Sequence, residues 1–150
     1  MQRDIKHTWF FNHCPELVWE FLTDSQLLSQ WLMQNDFKPV VGHKFQFHTK
    51  PLGKVKFDGI VFCEVLEVEP LKKLSYSWKG GGGNGKIRLD SVVTWTLTQK
   101  ENGTELLLEH TGFKGIENYL AYFFMNEGWR TKIPRRLGQL MDARGETVSN

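Results

Sequence analysis

Among the five histidines of the chain, His110 is the one whose position in the sequence suits chemistry. It follows Leu106 and Leu108 at alternate positions, so a strand there would carry all three side chains on one apolar face. A histidine on such a face is either a hydrogen-bonded core residue or the polar anchor of an apolar pocket. In an enzyme, the same imidazole would act as the general acid or base.

The other polar motifs predict neither a catalytic centre nor a nucleotide site. Glu64 and Glu67 fall on opposite faces of one strand and make no acid–base pair, and the chain has no Gly-x-Ser-x-Gly nucleophile elbow. The glycine-rich segment 80–86 begins like a phosphate-binding loop, but Ile87 stands where Ser or Thr would have to bind Mg²⁺. Because a strand and not a helix follows, we interpret this segment as a mobile loop between strands.

Neither the histidines nor the two cysteines are spaced as metal ligands, and we predict no cofactor. Cys63 lies in an apolar strand and is predicted to be a small buried residue, whereas Cys14 precedes a predicted helix start. Free thiols, and the lack of an apolar signal at the N-terminus, predict a cytoplasmic protein. A net charge of +2 is too small to indicate nucleic-acid binding, and no apolar stretch reaches the ~18 residues of a membrane span.

Aromatic residues form the most conspicuous set, since 11 Phe, 6 Trp and 3 Tyr make up 13% of the chain. Any single ring could fill an ordinary core, but many broad, rigid rings leave gaps when they line a curved sheet. Ligand pockets are mostly apolar and aromatic, with a few polar groups. We therefore predict a pocket whose lining side chains are Phe62, Tyr76, Trp78, Trp95, His110, Phe124 and Trp129.

The elements that would position these residues are strands first and one long helix last. Pro15, and Asp24 or Ser25, predict the starts of two short helices after the first strand. Helical spacing of apolar residues predicts a long helix over Ile116–Met141, with a kink at Pro134. Alternating apolar residues predict strands at residues 5–11, 45–47, 57–69, 74–78, 93–97 and 106–110.

This order predicts one α+β domain over residues 1–150 with a helix-grip fold. A curved antiparallel sheet of about six strands would wrap around the long C-terminal helix, with the two short helices after the first strand. A chain of 150 residues buries ~70% of the surface of its unfolded state, which is enough for a core without disulfides. The space between the sheet and the helix is then either a solid core or a pocket for an apolar ligand.

Several motifs in the same order resemble the family of activator of Hsp90 ATPase homologue-like proteins. The matching segments are 15–24 (PELVWEFLTD), 42–47 (GHKFQF), 67–78 (EVEPLKKLSYSW), 102–113 (NGTELLLEHTGF) and 128–129 (GW). That family belongs to the START-like (SRPBCC) superfamily, so the resemblance implies a helix-grip fold. The superfamily includes lipid carriers, hormone receptors, polyketide cyclases and co-chaperone domains, which leaves the function open.

Three functions are consistent with the sequence and with this resemblance. The first is binding of a small hydrophobic or aromatic molecule between the sheet and the C-terminal helix. The second is a polyketide cyclase-like or aromatase-like enzyme in which His110 transfers the proton. The third is a chaperone-associated interaction domain, which would use the outer face of the sheet. The expected partner is thus a small hydrophobic molecule or a chaperone, and we expect a monomer or a homodimer.

Overall fold

The computed structural model describes residues 2–50, 59–81, 87–114 and 126–148. The strands are β1 (Gln2–Phe11), β2 (Gln34–Asn35), β3 (Lys44–His48), β4 (Ile60–Glu69), β5 (Lys73–Gly81), β6 (Ile87–Lys100) and β7 (Gly103–Lys114). The helical elements are α1 (Pro15–Thr23), α2 (Ser25–Trp31), a π-helical turn (Gly128–Lys132) and the C-terminal helix α3 (Ile133–Val148).

The seven strands form one antiparallel sheet in the order β1-β7-β6-β5-β4-β3-β2. Alternation of apolar and polar residues predicted six of these strands, whereas β2 has only two residues and is too short to show any alternation. The curled sheet, the two short helices after β1 and the C-terminal helix confirm the predicted α+β helix-grip fold. Most of the predicted glycine-rich loop, residues 82–86, lies outside the described residues.

The two short helices begin where the sequence predicts. Pro15 occupies the first turn of α1, where the missing amide hydrogen breaks no helical hydrogen bond. The carboxylate of Asp24 caps α2 by accepting a hydrogen bond from the amide of Leu27 at 3.0 Å. The buried indole of Trp31 donates to the carbonyl of Phe21 at 2.9 Å, which ties α2 to α1 against the core.

One face of the sheet carries the core. In β5, β6 and β7 the buried side chains occur at alternate positions, as the pleat of a strand requires, apart from Ser75 on the opposite face of β5. The buried residues on this face are Leu74, Tyr76, Trp78, Ser91, Val93, Trp95, Leu97, Thr104, Leu106, Leu108 and His110. Each of the three polar side chains among them, on Ser91, Thr104 and His110, has a hydrogen-bond partner.

The C-terminal helix confirms the prediction over its described part, which starts at residue 126, while residues 116–125 lie outside the described residues. The kink predicted at Pro134 stays a prediction, but a π-helical turn lies just before this proline. The amide of Ile133 donates to the carbonyl of Gly128, five residues back instead of four. Proline has no amide hydrogen and its ring crowds the carbonyl four residues back, so a regular α-helical turn is disfavoured at this point.

The cysteines lie where the sequence places them. Cys63 is buried on the core face of β4, and Cys14 is exposed at the start of α1. Burial, with a smaller contribution from Asp36, raises the pKa of the Cys63 thiol far above its usual range, so this thiol is unreactive.

Within the described residues, no three His, Cys, Asp or Glu side chains converge to hold a metal ion. None of the helices in the described ranges is long and apolar enough to cross a membrane.

Candidate functional site

Three tryptophans meet between the sheet and the C-terminal helix, and we call Trp78, Trp95 and Trp129 the tryptophan cluster. Trp78 comes from β5, Trp95 from β6 and Trp129 from the π-helical turn, and all three are fully buried. The ring centroid of Trp129 lies 5.6 Å from that of Trp78 and 5.5 Å from that of Trp95, with edge-to-face orientation in both pairs. Such pairs add about 0.5–1.5 kcal/mol each to the stabilisation from buried area.

His110 on β7 connects this cluster to the sheet through two hydrogen bonds. Its Nδ1 accepts from Nε1 of Trp129 at 3.1 Å, and its Nε2 lies 2.7 Å from Oγ of Ser91 on β6. The Ser91 hydroxyl donates in turn to the main-chain carbonyl of Trp78 on β5, at 2.8 Å. This hydrogen-bond chain therefore runs from the helix across three neighbouring strands, and His110 at its centre is 0% exposed.

The hydrogen-bond chain determines which nitrogen of His110 carries the hydrogen. An indole N–H can only donate, so Nδ1 must offer its lone pair to Trp129. In the neutral ring Nε2 then carries the hydrogen and donates to Ser91, whose own hydrogen points at the carbonyl of Trp78. Burial lowers the pKa of the His110 imidazole to about 3, because desolvation disfavours the charged ring. His110 is thus neutral, and in one tautomer, at neutral pH.

The distance between Ser91 and His110 suits the nucleophile and base of a serine hydrolase, but the direction of the hydrogen bond does not. In a hydrolase the imidazole accepts the hydrogen of the serine, whereas here His110 donates to Ser91. The second nitrogen is occupied by Trp129. With both nitrogens engaged in this way, His110 is arranged as a hydrogen-bonding anchor and not as a proton-transfer group.

A second aromatic group continues from the tryptophan cluster along the sheet. The hydroxyl of Tyr76 accepts a hydrogen bond from Nε1 of Trp95 at 2.9 Å, and its ring centroid lies 5.4 Å from that of Phe45. Burial raises the pKa of the Tyr76 phenol well above its usual range, against the opposing effect of the hydrogen bond from Trp95. Tyr76 therefore adds a neutral hydroxyl to this apolar region.

The structure brings together five of the seven predicted pocket residues, namely Tyr76, Trp78, Trp95, His110 and Trp129. Phe62 does not join them, because it alternates away from the buried Val61 and Cys63 on β4 and is only partly buried. Phe124 lies outside the described residues. That these side chains line a ligand pocket stays a prediction.

Two further residues of the site were missed from the sequence. Ser91 lies on the same face of β6 as the buried Val93 and Trp95, two and four residues later. A serine on a core face needs a hydrogen-bond partner, and this was the feature of the sequence that could have pointed to it. Gly112 on β7 adopts φ +96°, and a Cβ there would lie 3.2 Å from Cα of Ser91. Because only glycine readily combines this backbone conformation with so close an approach, Gly112 lets β7 pass tightly along β6 beside the hydrogen-bond chain.

Similar solved structures share this fold over almost the whole chain. Protein MLL2253 from Mesorhizobium loti is 39% identical, with a TM-score of 0.83, over 94% of this chain and 98% of that chain. Protein BH1534 from Bacillus halodurans is 32% identical, with a TM-score of 0.73, over 94% of this chain and 99% of that chain. Aha1 from Colwellia psychrerythraea, solved as a dimer, is 21% identical with a TM-score of 0.68 over 94% and 95% of the two chains, and this likeness shows the fold alone. No curated protein matches the chain.

A family model agrees with these structures. The family described as Activator of Hsp90 ATPase homolog 1-like protein matches residues 12–142, a range that contains Ser91, His110 and the whole tryptophan cluster. The match confirms the resemblance inferred from the sequence motifs. This chain therefore belongs to the family of Activator of Hsp90 ATPase homolog 1-like proteins.

Proposed function

We propose that the protein binds a small, planar hydrophobic molecule between the sheet and the C-terminal helix, at the tryptophan cluster. The observation that supports this most strongly is the position of Trp129, because an irregular turn of the helix inserts its indole, fully buried, between Trp78 and Trp95. Single π-helical turns within α-helices occur frequently at functional sites. The rings around Trp129 offer flat apolar surfaces with one polar anchor, His110, which is the usual composition of a small-molecule site.

Binding at this place requires the indole of Trp129 to move. The π-helical turn holds one more residue than an α-helical turn, so a change in its hydrogen-bonding pattern would rotate Trp129 about the helix axis by about 100°. Such a rotation would carry the indole away from Trp78 and Trp95. The space left between helix and sheet would be flat, apolar and the size of an aromatic ring system.

The size of the ligand follows from the side chain that it has to replace. When the indole of Trp129 leaves the cluster it loses its buried contacts, so a ligand of the same size would only restore what was lost. Each further 100 Å² of apolar surface that a larger ligand buries would contribute about 2.5 kcal/mol. We therefore expect a ligand whose ring system extends beyond the outline of an indole.

Intrinsic fluorescence with parallel thermal unfolding tests the proposal. Wild type, Trp129→Phe and Trp19→Phe are titrated with a panel of fatty acids, sterols, flavonoids and aromatic polyketides. A ligand of the native state raises the melting temperature. We expect saturable quenching in wild type and tighter binding in Trp129→Phe, because the smaller ring is easier to displace and Trp78 and Trp95 still report the ligand. Trp19 lies on α1, outside the cluster, and its replacement should leave the quenching intact. A flat response to the whole panel in both measurements would contradict the proposal.

A second candidate function is interaction with an Hsp90-type chaperone, which the name of the family suggests. The structure offers apolar side chains outside the core, since Val40 and Val41 are 59% and 61% exposed and Leu66 on the outer face of β4 is 45% exposed. The amide of Gly42 donates to the carbonyl of Val65 at 2.8 Å, which holds the two valines next to β4.

The ATPase rate of purified Hsp90 tests this second candidate. We expect wild type to change that rate and Val41→Asp to weaken the effect, because a charge in an apolar contact is costly to bury. Phe10→Asp is the matched control, since Phe10 is exposed on β1, away from this patch. An ATPase rate that saturating wild type leaves unaltered would exclude the chaperone function.

The enzyme alternative requires His110 to transfer a proton at the bound molecule. A cyclisation assay with an aromatic polyketide substrate, run with wild type and His110→Ala, tests it. Equal rates for the two proteins would remove His110 from the mechanism. The hydrogen bonds that occupy both imidazole nitrogens favour the binding function over this alternative.

The oligomeric state and the cytoplasmic location stay predictions. The relative from Colwellia psychrerythraea was solved as a dimer, so we include a homodimer among the assemblies to be tested. Sedimentation of the purified chain over a range of concentrations distinguishes a monomer from a homodimer.

A further inference from the structure

The turn between β4 and β5 holds a leucine in a backbone conformation that favours glycine. The amide of Lys72 donates to the carbonyl of Glu69 at 2.9 Å, so these residues close a tight turn with Pro70 and Leu71 at its two central positions. Leu71 has φ +67°, and a type II turn requires such a left-handed value at this position, where glycine or asparagine is usual. The side chain of a leucine is crowded by the backbone there, so this residue lowers the stability of the turn.

Leu71 gains little from its own chain in return. Its side chain is 38% exposed, and among the residues that the structure describes it belongs neither to the hydrophobic core nor to the side chains packed against it. Burial within one copy of the chain therefore does not offset the strain. Strained residues of this kind cluster at functional positions. We look for the function of Leu71 in a contact outside its own chain.

Three further exposed apolar side chains lie at the same end of the sheet. Val40 and Val41 are 59% and 61% exposed, and Leu66 on β4 is 45% exposed. The turn that carries the two valines is hydrogen-bonded to β4 through Gly42, and Leu71 follows the end of β4 by two residues. We call Val40, Val41, Leu66 and Leu71 the exposed apolar patch. Apolar side chains gathered in this way on a surface are typical of an interaction site.

The charges beside this patch are balanced within the chain. Nζ of Lys72 lies 3.9 Å from Oε1 of Glu69, and Nζ of Lys73 lies 3.4 Å from Oε1 of Glu67. A surface with a single sign of charge would repel a second copy of itself, whereas a balanced surface can meet its own copy with opposite charges together. Charge complementarity therefore favours a second copy of this chain over a strongly acidic or basic partner.

We propose that the exposed apolar patch is the contact between two copies of this chain, related by a twofold axis, with Leu71 of each copy packed against Val40 and Val41 of the other. A twofold contact pairs the two halves of one patch in exchanged positions. The halves here are Leu71, in the turn towards β5, and the valines, in the turn before β3. This contact goes beyond the proposed ligand binding and does not depend on it. Because it covers Val41, a chaperone could contact that valine only after the two copies separate.

Sedimentation of the full chain at concentrations up to about 1 mM tests the proposal, since a patch of this size supports only a weak dimer. Asparagine is polar and tolerates the left-handed backbone, so Leu71→Asn removes the contact without adding strain. We expect wild type to dimerise and Leu71→Asn to raise the dissociation constant at least about tenfold, because each dimer loses the side chain twice. Val41→Asn should also weaken the dimer. Phe10→Asn is the matched control, since Phe10 is exposed on β1 outside the patch.

A second measurement separates a contact between copies from packing within one copy. In dilute solution, where wild type is monomeric, Leu71→Asn relieves the left-handed strain and should raise the melting temperature by about 2–4 °C. A variant that is more stable as a monomer and associates more weakly is expected only if the leucine serves the partner. A lower melting temperature would show that Leu71 stabilises its own fold, which would overturn the proposal.

Two results of the sedimentation experiment would also overturn it. Wild type that stays monomeric up to the highest concentration would show that this patch does not bind a second copy. A dimer that Leu71→Asn, Val41→Asn and Phe10→Asn all leave equally strong would place the contact elsewhere on the chain. Both results leave ligand binding at the tryptophan cluster untouched, so the two proposals fail independently.

Discussion

Trp129 on the C-terminal helix donates its indole hydrogen to Nδ1 of His110 on the sheet, over 3.1 Å. This polar contact joins the two layers of the fold inside an otherwise apolar cluster. Both residues are 0% exposed, so neither group would reach water if the other were removed. The pair therefore fixes the position of the helix on the sheet and also the tautomer of His110.

Replacing His110 by leucine should destabilise the protein by about 2–4 kcal/mol, because the indole hydrogen of Trp129 loses its acceptor and the oxygen of Ser91 loses the donor from Nε2. Urea unfolding followed by circular dichroism measures the difference. The control is His48→Leu at an exposed position of β3, for which we expect less than about 0.5 kcal/mol. Equal effects at the two histidines would show that the buried hydrogen bonds contribute little.

The hydrogen-bond chain predicts that the hydrogen of the neutral His110 ring resides on Nε2. Nitrogen NMR of isotope-labelled histidine reports this tautomer directly, and we expect a single form at pH 7. Ser91→Ala removes the acceptor for that hydrogen and should cost about 1–3 kcal/mol, whereas Thr98→Ala at an exposed position of the same strand should be nearly neutral. A wild-type spectrum with the hydrogen on Nδ1 would refute the assigned direction of the hydrogen bonds that His110 makes with Trp129 and Ser91.

The buried, neutral His110 should make the protein less stable in mild acid. Its pKa is about 3 in the folded protein, against an ordinary value of 6.5. Between these values the unfolded chain binds a proton that the folded protein does not, so stability falls as the pH falls through this window, by about 1 kcal/mol per pH unit. Asparagine does not titrate, so His110→Asn removes this proton uptake by the unfolded chain. The difference in free energy of unfolding between wild type and His110→Asn should therefore become smaller from pH 7 to pH 4. A gap that stays constant over that range would show that His110 does not resist protonation.

Two glycines, Gly112 beside Ser91 and Gly138 on α3, should respond in opposite ways to alanine. Gly112→Ala should destabilise the protein by about 1–3 kcal/mol, because φ is +96° and the new Cβ would lie 3.2 Å from Ser91. Gly138 lies within α3, and a Cβ there would meet the ring of Phe11 at an ordinary 3.4 Å. Gly138→Ala should therefore be neutral or stabilise by up to about 1 kcal/mol. Thermal unfolding of the two variants compares them, and a neutral Gly112→Ala would rule out the strained, close approach of β7 to β6.

Most of the fold could be predicted because its elements repeat a simple period. Alternation on the core face of β5 to β7 placed Tyr76, Trp78 and His110 on the same side of the sheet, and the structure agrees. The prediction for Phe62 relied on its aromatic ring, although the alternation of β4 puts it on the face opposite Cys63. Parity was therefore a better guide to the site than residue type.

The details of the site depend on contacts between residues far apart in the chain, which no local pattern reports. Ser91 and His110 meet because β6 and β7 pair in one register, in which Val93 lies opposite His110. Trp129 lies in the π-helical turn, which the sequence analysis did not predict, since it inferred from Pro134 only a kink of the helix. Pairing register and helix geometry are set by the packed fold as a whole, so they became visible only in three dimensions.

Fluorine NMR of the protein labelled with fluorotryptophan tests the central claim most directly. The six tryptophans give separate signals that single Trp→Phe variants assign. On titration with naphthol we predict the largest changes at Trp129, Trp78 and Trp95, with Trp129 moving to a solvent-exposed environment, and little change at Trp19. Changes confined to tryptophans outside the cluster, or no saturable change at all, would contradict ligand binding between the sheet and the helix.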